Sequence, residues 1–305
     1  MNISILYGGA STEHKISIQT GFAVAEAIKD MHSLEMVNLD KEIYQSPHNL
    51  LDADLVFNAL HGGDGENGTI QAYLDLHHIS YTGSGSKASR IAMDKNISKL
   101  IVKSLNIPTP NWILIKKDSH AGLKLHNYKT SVFTYPYVVK PSNEGSTYGL
   151  SIVHDESELP EAIDLAAGYS DEILIEEYIS GRELTVGILG KKSLPIVEII
   201  PSHNFYDFEC KYTEGMSEYK VPADLSDSLV RKISADALKI YNTIGCRHYA
   251  RSDFRLNEKD EYYFLEINTL PGMTSTSLLP KAAKAAGLEF PDLIDIIIKI
   301  ATSEQ

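Results

Sequence analysis

The sequence predicts an α/β protein, α+β in parts, organised in two or three domains. Three observations carry this. The first 80 or so residues alternate short apolar strands with helical segments, the pattern of a small parallel sheet. The segments His248 to Leu256 and Glu261 to Asn268 alternate in character, are rich in Tyr and Phe, and flank the turn-forming run Asn257-Glu258-Lys259-Asp260, as in an antiparallel hairpin. A length of 305 residues exceeds the usual size of one domain.

Taken in order, Ile3 to Leu6 reads as the first strand, followed by a helix from about Ile16 to Lys29 and strands at Leu34 to Leu39 and Leu55 to Ala59. After the loop His61 to Gly68 come a helix from about Thr69 to His77 and a short strand at Ile79-Ser80-Tyr81. Ligand-binding loops of such a sheet lie at the carboxyl ends of its strands. Two glycine-rich runs fall there, Gly8 to His14 and His61 to Gly68. Neither fits the dinucleotide or P-loop pattern, and each reads either as a plain turn or as a binding loop. Glu13, at the mouth of the first, is suited to pair with a substrate ammonium, and His61 to orient it or carry a proton.

A helix from about Ala88 through Leu105 ends at Asn106-Ile107-Pro108, where proline stops it and a second domain begins. Strands follow at Trp112 to Lys116 and Pro136 to Lys140, with the loop Pro141 to Gly149 leading into Leu150 to His154. A strand ending in Lys140 before a Gly/Ser loop offers a cation and backbone N–H groups to phosphates, although many hairpins carry such loops without binding anything. A helix over Ser157 to Ala167 leads to a strand over Glu172 to Ile179, whose last residues could edge an adenine ring. Strands at Glu183 to Leu189 and Leu194 to Ile200 precede a polar, aromatic stretch from Ser202 to Pro222, which reads as a long loop of the kind that serves as a lid. Within it Lys211 and Tyr212 are candidates to close over a phosphate, the alternative being an ordinary surface loop. Leu229, Ile233, Leu238 and Tyr241 recur at helical spacing over Ser226 to Thr243, and helices near Ser277 to Ala286 and Phe290 to Thr302 close the chain.

A two-residue hairpin loop at Lys259-Asp260 would set Asp253 opposite Glu266 and Arg251 opposite Asn268 on one face. Directly opposed carboxylates, with Cβ atoms roughly 5 Å apart, repel each other. A divalent cation reverses that cost, and one or two carboxylates completed by water and phosphates are the usual Mg²⁺ site. The other reading is a solvated face with incidental acids.

The 41 acidic against 28 basic residues give a net charge of -13, which argues against a nucleic-acid or anionic-membrane partner. No apolar run approaches the roughly 20 residues that span a bilayer, and the N-terminus turns polar within eight residues, unlike a secretory leader. With only Cys210 and Cys246, both read as small packing residues, a reducing cytoplasmic setting is expected.

Several motifs in fixed order carry more than any one alone. They are Gly8-Gly9 with Ser11 and Glu13-His14; Ala59-Leu60-His61-Gly62 with Gly65-Glu66; Tyr81-Thr82-Gly83-Ser84-Gly85; and Ala92-Met93-Asp94-Lys95. Further on come Val139-Lys140-Pro141 with Glu144-Gly145-Ser146; Phe205-Tyr206-Asp207 with Lys211-Tyr212; Gly245-Cys246 with Arg251 and Asp253; and the run Glu266-Ile267-Asn268-Thr269-Leu270-Pro271-Gly272-Met273-Thr274. Nearly end to end, the chain resembles the D-alanine:D-alanine ligases, members of the ATP-grasp superfamily.

The resemblance implies a three-domain ATP-grasp fold: an N-terminal substrate-binding domain over 1–84, a central domain over 85–176, and a C-terminal domain over 177–305 with a lid near 202–222. It implies ATP as co-substrate, two Mg²⁺ with Mn²⁺ as a substitute, D-alanine as substrate, a homodimer formed mainly through the N-terminal domain, and a role in peptidoglycan precursor supply. Lys95, Lys140 and the backbone from Gly145 to Thr147 are expected on the phosphates. Glu176 and the backbone at Tyr178 and Ile179 are expected on the adenine, Glu183 on the ribose, and Phe205 and Tyr178 packed against the base. Asp253, Glu266 and Asn268 are the implied metal ligands. Arg251 and the Gly272 N–H are implied for an oxyanion, and Glu13, hydrogen-bonded with Ser146 and Tyr212, for the first substrate's ammonium. Lys211, Ser277 and the backbone at Leu278 are implied for the second substrate's carboxylate.

Some positions depart from the family pattern: Thr147-Tyr148, Cys210, His248 where glycine is usual, and Arg255 where an apolar residue commonly covers the adenine. The rival readings are a ligase that takes D-lactate or D-serine second, against which Tyr212 speaks for D-lactate, and an ATP-binding regulatory protein without catalysis. The retained Arg251, Asp253, Glu266 and Asn268 speak against the second.

Overall fold

The computed structural model describes residues 1–39, 48–117, 134–202 and 215–303. At the N-terminus β1 (Asn2–Gly8), α1 (His14–Ile28), β2 (Ser33–Leu39), α2 (His48–Leu51) and β3 (Leu55–Asn58) build a three-stranded sheet in the order β2-β1-β3. All its pairings are parallel, as the strand–helix alternation requires. The loop after β3 contains a short helix, α3 (Gly63–Glu66), before α4 (Thr69–Leu76). The strand expected at Ile79-Ser80-Tyr81 is reduced to one parallel bridge between Val56 and Tyr81.

The helix expected from Ala88 to Leu105 is two helices, α5 (Ser86–Met93) and α6 (Lys95–Ser104). Asp94 breaks it: its backbone is extended, at φ -80° and ψ 98°, and its carboxylate accepts the Ile97 N–H as the α6 N-cap. Next, β4 (Trp112–Lys116), β5 (Tyr137–Pro141), β6 (Ser151–Val153), α7 (Leu159–Ala167) and β7 (Glu172–Glu177) form an antiparallel sheet in the order β4-β7-β5-β6.

The last sheet contains β8 (Arg182–Leu189), β9 (Lys192–Ser193), β10 (Val197–Pro201), β11 (Ser217–Lys220), β12 (Tyr249–Leu256) and β13 (Tyr262–Asn268). Its order is β11-β10-β8-β12-β13, with β9 on β8. The stretch expected as a loop from Ser202 to Pro222 is therefore in part a strand, since Ser217 to Lys220 pairs with β10. Between β11 and β12 runs α8 (Asp227–Ile244), capped by Ser226, whose Oγ accepts the Leu229 N–H. It buries Leu229, Ile233, Ala237, Ile240 and Ile244 against Leu184, Val186 and Phe254 of the sheet. At about 1.5–3 kcal/mol per fully buried aliphatic side chain, this stripe anchors the sheet's far face and leaves the other for the site.

The chain ends with α9 (Leu278–Ala285) and α10 (Phe290–Ser303). α10 places Leu293, Ile294, Ile297 and Ile298 in one core with Ile3, Ile5, Val24 and Phe57 of the first sheet, which ties the N-terminal sheet to the C-terminal one. α9 lies so close to β8 that a Cβ on Gly187 would sit 2.7 Å from Leu279 Cδ1. No helix among the described residues is long and apolar enough to cross a membrane.

Cys246 is buried, its thiol pushed up to about 12 by desolvation, as suits a packing residue; Cys210 lies outside the described residues. His248, 2% exposed, adopts φ 64°, where glycine is at ease, and its Nδ1 accepts the Gly83 N–H at 3.0 Å. Burial, aided by the Arg247 charge, pushes its imidazole down from 6.5 to about 4. The unfolded chain thus binds a proton that the folded chain refuses, so the contribution is complete above pH 6.5 and is lost as pH falls through about 4. That loss is worth up to about 3 kcal/mol. His248→Asn, which tolerates this backbone and offers an acceptor to Gly83, is expected to flatten the acid-side decline of Tm relative to the parent. Equal declines would remove His248 as the cause.

Candidate active site

The hairpin β12–β13 supplies the site's floor. Asp253 faces Glu266 and Arg251 faces Asn268, but not through the two-residue loop expected. Asn257 N–H bonds to Glu261 O, leaving a three-residue loop, Glu258-Lys259-Asp260, whose last residue takes φ 60°. A bulge at Leu265 inserts one residue into β13 and restores the register beyond it. Burial records the switch, since Tyr262 and Phe264 enter the core before the bulge and Ile267 after it. Glu266 and Asn268 are thereby turned toward the site.

Arg251 grips Asp253 as a fork, Nε to Oδ1 at 2.9 Å and Nη2 to Oδ2 at 2.8 Å. Thr185 Oγ1 donates to the same Oδ1 at 2.5 Å. Lys95 Nζ lies 3.2 Å from Glu266 Oε2 and donates to the Glu144 carbonyl at 2.6 Å. These cations offset the repulsion of the opposed carboxylates. The two carboxylates and the Asn268 amide oxygen form a hard oxygen set on one face of the hairpin, whose chemistry fits Mg²⁺. Asn268 Oδ1 also accepts the Leu270 N–H at 2.8 Å.

Between the four-stranded and six-stranded sheets lies an open cleft of about 870 Å³ that brings together Lys95, Lys140, Gly145, Thr147, Glu176, Tyr178, Ile179 and Glu183. Lys140 leaves the end of β5 and reaches Glu176 Oε1 at 2.5 Å. Burial alone would raise the Glu176 carboxyl, but the ammoniums of Lys140 and Lys99 outweigh it and hold it below the ordinary carboxylate value. The loop after β5 carries two successive non-glycine residues at positive φ, Ser146 at 48° and Thr147 at 65°. For a β-branched residue this is a costly conformation of the kind that collects at ligand sites. Arg255 occupies the far end of the cleft. It donates to the Ile179 and Gly181 carbonyls at 3.0 and 2.8 Å and lies 3.2 Å from Glu183 Oε2. Where an apolar cover would be usual, this chain has a clamp on the segment between β7 and β8.

A second pocket of about 980 Å³ holds Glu13, His61, Arg251, Gly272, Ser277 and Leu278, and it shares Gly145, Ser146 and Glu266 with the cleft. Glu13, at the head of α1, accepts a hydrogen bond from Ser146 Oγ of the loop after β5. Gly62, at φ 64°, lets the second glycine loop approach: a Cβ there would lie 2.7 Å from Glu13 Oε2. His61 Nε2 lies 2.9 Å from Thr20 Oγ1, and its Nδ1 is 3.7 Å from Glu66. Burial raises the Glu66 carboxyl above its usual value, His61 pulling it down and the Glu13 charge pushing it up. Ser277 precedes α9, its Oγ accepts the Thr274 N–H at 3.2 Å, and it lines this pocket together with Leu278.

Phe205, Lys211 and Tyr212 lie outside the described residues. Among the residues of the site, Glu66, Thr185 and Tyr219 of β11, which lines the second pocket, were not read from the sequence as site residues, and Lys99, buried behind the cleft, was not read as buried. Glu66 sits in the His61 to Gly68 run, and Thr185 alternates in step with Glu183 on β8, which were the available signals. Lys99 stands one turn beyond Lys95 on α6, and nothing in its neighbourhood announces burial.

Comparison with known proteins agrees with this arrangement. Residues 40–84 match the model of the D-ala D-ala ligase N-terminus and residues 101–299 that of the D-ala D-ala ligase C-terminus. A D-alanine–D-alanine ligase of Aquifex aeolicus is 45% identical over 302 residues, covering 98% of this chain and all of the relative. The crystal structure of a D-alanine–D-alanine ligase from Bacillus anthracis complexed with ATP superposes with a TM-score of 0.85 at 33% identity, covering 100% of this chain and 99% of that one. A D-Ala:D-Ser ligase from Enterococcus faecalis gives 0.83 at 28% identity, covering 98% and 99%. The fold is that of the ATP-grasp ligases, and the chain belongs to the D-alanine–D-alanine ligase family.

Proposed function

We propose that the protein joins two D-alanines into D-alanyl-D-alanine at the expense of ATP, through a D-alanyl phosphate, for peptidoglycan precursors in the cytoplasm. The observation that carries this is the continuity of cleft and pocket at Gly145, Ser146 and Glu266. A nucleotide in the cleft with its phosphates toward Lys95 would end where an amino acid held by Glu13 begins.

Lys95 and Lys140 hold the phosphates, and the strained Gly145–Thr147 backbone caps the terminal one. Glu176 and the backbone at Tyr178 and Ile179 hold the adenine, which Phe205 packs against, and Glu183 holds the ribose. The clamp of Arg255 supports this by fixing Glu183 and the Ile179 carbonyl. Asp253, Glu266 and Asn268 would hold two Mg²⁺, with Mn²⁺ as the substitute, and the ions when bound neutralise the β- and γ-phosphates. Glu13, supported by Ser146 and Tyr212, takes the ammonium of the first D-alanine. The carboxylate of that D-alanine attacks the γ-phosphorus, giving an acyl phosphate and ADP. The neutral amine of the second D-alanine then attacks the acyl carbon, and phosphate leaves. Arg251 and the Gly272 N–H stabilise the tetrahedral oxyanion. His61 orients the pocket wall, and the α9 N-terminus at Ser277 and Leu278, with Lys211, meets the second carboxylate. Residues near 202–222 exclude water from the acyl phosphate.

The domain division at 84 and 176 belongs to this proposal. It is supported by three sheets drawn from three successive segments. A homodimer through the N-terminal domain belongs to it as well.

The test is ADP release from MgATP with D-alanine alone, against L-alanine and against D-alanine mixed with D-lactate or D-serine, products being identified by mass. D-Alanine-dependent turnover to D-alanyl-D-alanine is expected. Turnover only with a different second substrate would overturn the specificity, and no turnover with any pair would overturn the ligase reading.

A further inference from the structure

Lys99 and Lys140 share one carboxylate. Lys99 Nζ lies 2.8 Å from Glu176 Oε2, while Lys140 Nζ lies 2.5 Å from Oε1, so each ammonium has its own oxygen. Their settings differ. Lys140 lines the cleft, whereas Lys99 is 0% exposed, 5.0 Å from the centroid of the Trp112 ring. Trp112 is itself anchored by its Nε1–H, which donates to Asn96 Oδ1 at 2.9 Å. Lys99 is therefore sealed from any nucleotide, and its influence on one passes through Glu176.

We propose that Lys99 is a positioning residue: it stays with Glu176 as the permanent counter-charge and so frees Lys140 to move onto the nucleotide phosphates. This rests on the reading above, in taking the cleft as the nucleotide site and Lys140 as a phosphate cation. Glu176 is 2% exposed, so an ion there that loses its last partner is strongly disfavoured. With Lys99 in place, the departure of Lys140 leaves a one-to-one buried pair. Without Lys99, the same departure strands a bare carboxylate, and Lys140 stays behind as its sole partner. The two ammoniums also repel each other, which favours the one with access to the cleft leaving for a phosphate. Burial pushes the Lys99 ammonium down to about 8, so the charge is retained at neutral pH.

The test compares ADP with adenosine, which lacks the phosphates, by calorimetry on the full chain with Mg²⁺. Lys99→Met is expected to weaken ADP at least tenfold while adenosine changes less than twofold, and to raise the KM for ATP with kcat at saturation within threefold. In a Glu176→Gln background, where no carboxylate holds Lys140, the same change is expected to cost ADP less than twofold. Lys99→Gln, which keeps a donor for Glu176 without the charge, carries the same expectation should the Met variant not fold. Equal losses of ADP and adenosine, or an undiminished loss in the Glu176→Gln background, would reduce Lys99 to a structural ion pair. Failure of the parent protein to bind either compound would instead overturn the nucleotide reading itself.

Discussion

Glu266→Gln is expected to lower turnover by about 10³-fold or more while leaving the protein folded. Glu266 stands where the cleft and the pocket meet, opposite Asp253 and 3.2 Å from Lys95. The amide keeps size and shape but lacks the charge that Lys95 answers and a divalent cation would answer, and several kcal/mol of transition-state stabilisation is a factor of about 10³. Stability should move by less than about 1 kcal/mol, because two effects oppose. The partly exposed pair with Lys95 is weakened, and the repulsion between facing carboxylates is relieved. Mn²⁺ binding in the presence of ADP, followed by water-proton relaxation, supplies a readout independent of turnover and should weaken in parallel. A variant that retains a tenth of the parent's turnover would remove Glu266 from the metal set.

The hairpin that holds Glu266 shows how far the sequence reaches. The facing pairs Asp253–Glu266 and Arg251–Asn268 were legible, yet the loop behind them was not. The predicted two-residue turn is a three-residue turn, and the predicted regular strand carries a bulge at Leu265; each shifts the register by one, in opposite senses. Neither has a strong local signal, because Asp260 supplies the left-handed residue where glycine would have announced it. The break at Asp94 was likewise hidden, since an Asp within an apolar helical repeat looks like a surface residue until its carboxylate caps the next helix. Periodicity found α8 almost to the residue, because an amphipathic helix writes its burial into its own sequence. Lys99 is the opposite case. Its partner lies 77 residues away on β7, and a lysine without its partner reads as solvated. Glu13 and Ser146, 133 residues apart, were linked through the family pattern and not through any local signal.

Arg251→Lys is expected to reduce the rate of dipeptide formation by about 10²- to 10³-fold, with a smaller effect on ADP formation. The guanidinium is fixed in plane by two bonds to Asp253, at 2.9 and 2.8 Å, and it lines the amino-acid pocket with Gly272 and Ser277. Lysine keeps the charge but cannot reproduce the fork, so the cation loses its fixed position in that pocket. Asp253, 8% exposed, keeps Thr185 and a nearby positive charge, so the fold should survive with a moderate loss of stability. If Arg251 acts on the tetrahedral oxyanion of the second step, the acyl phosphate still forms and is then lost to water. The decisive measurement is therefore the ratio of ADP released to dipeptide made, which should rise well above that of the parent. A slow variant that keeps the parent's ratio would move Arg251 to the phosphoryl-transfer step. A variant with unchanged rate and ratio would remove it from both steps, leaving the Gly272 N–H to stabilise the oxyanion.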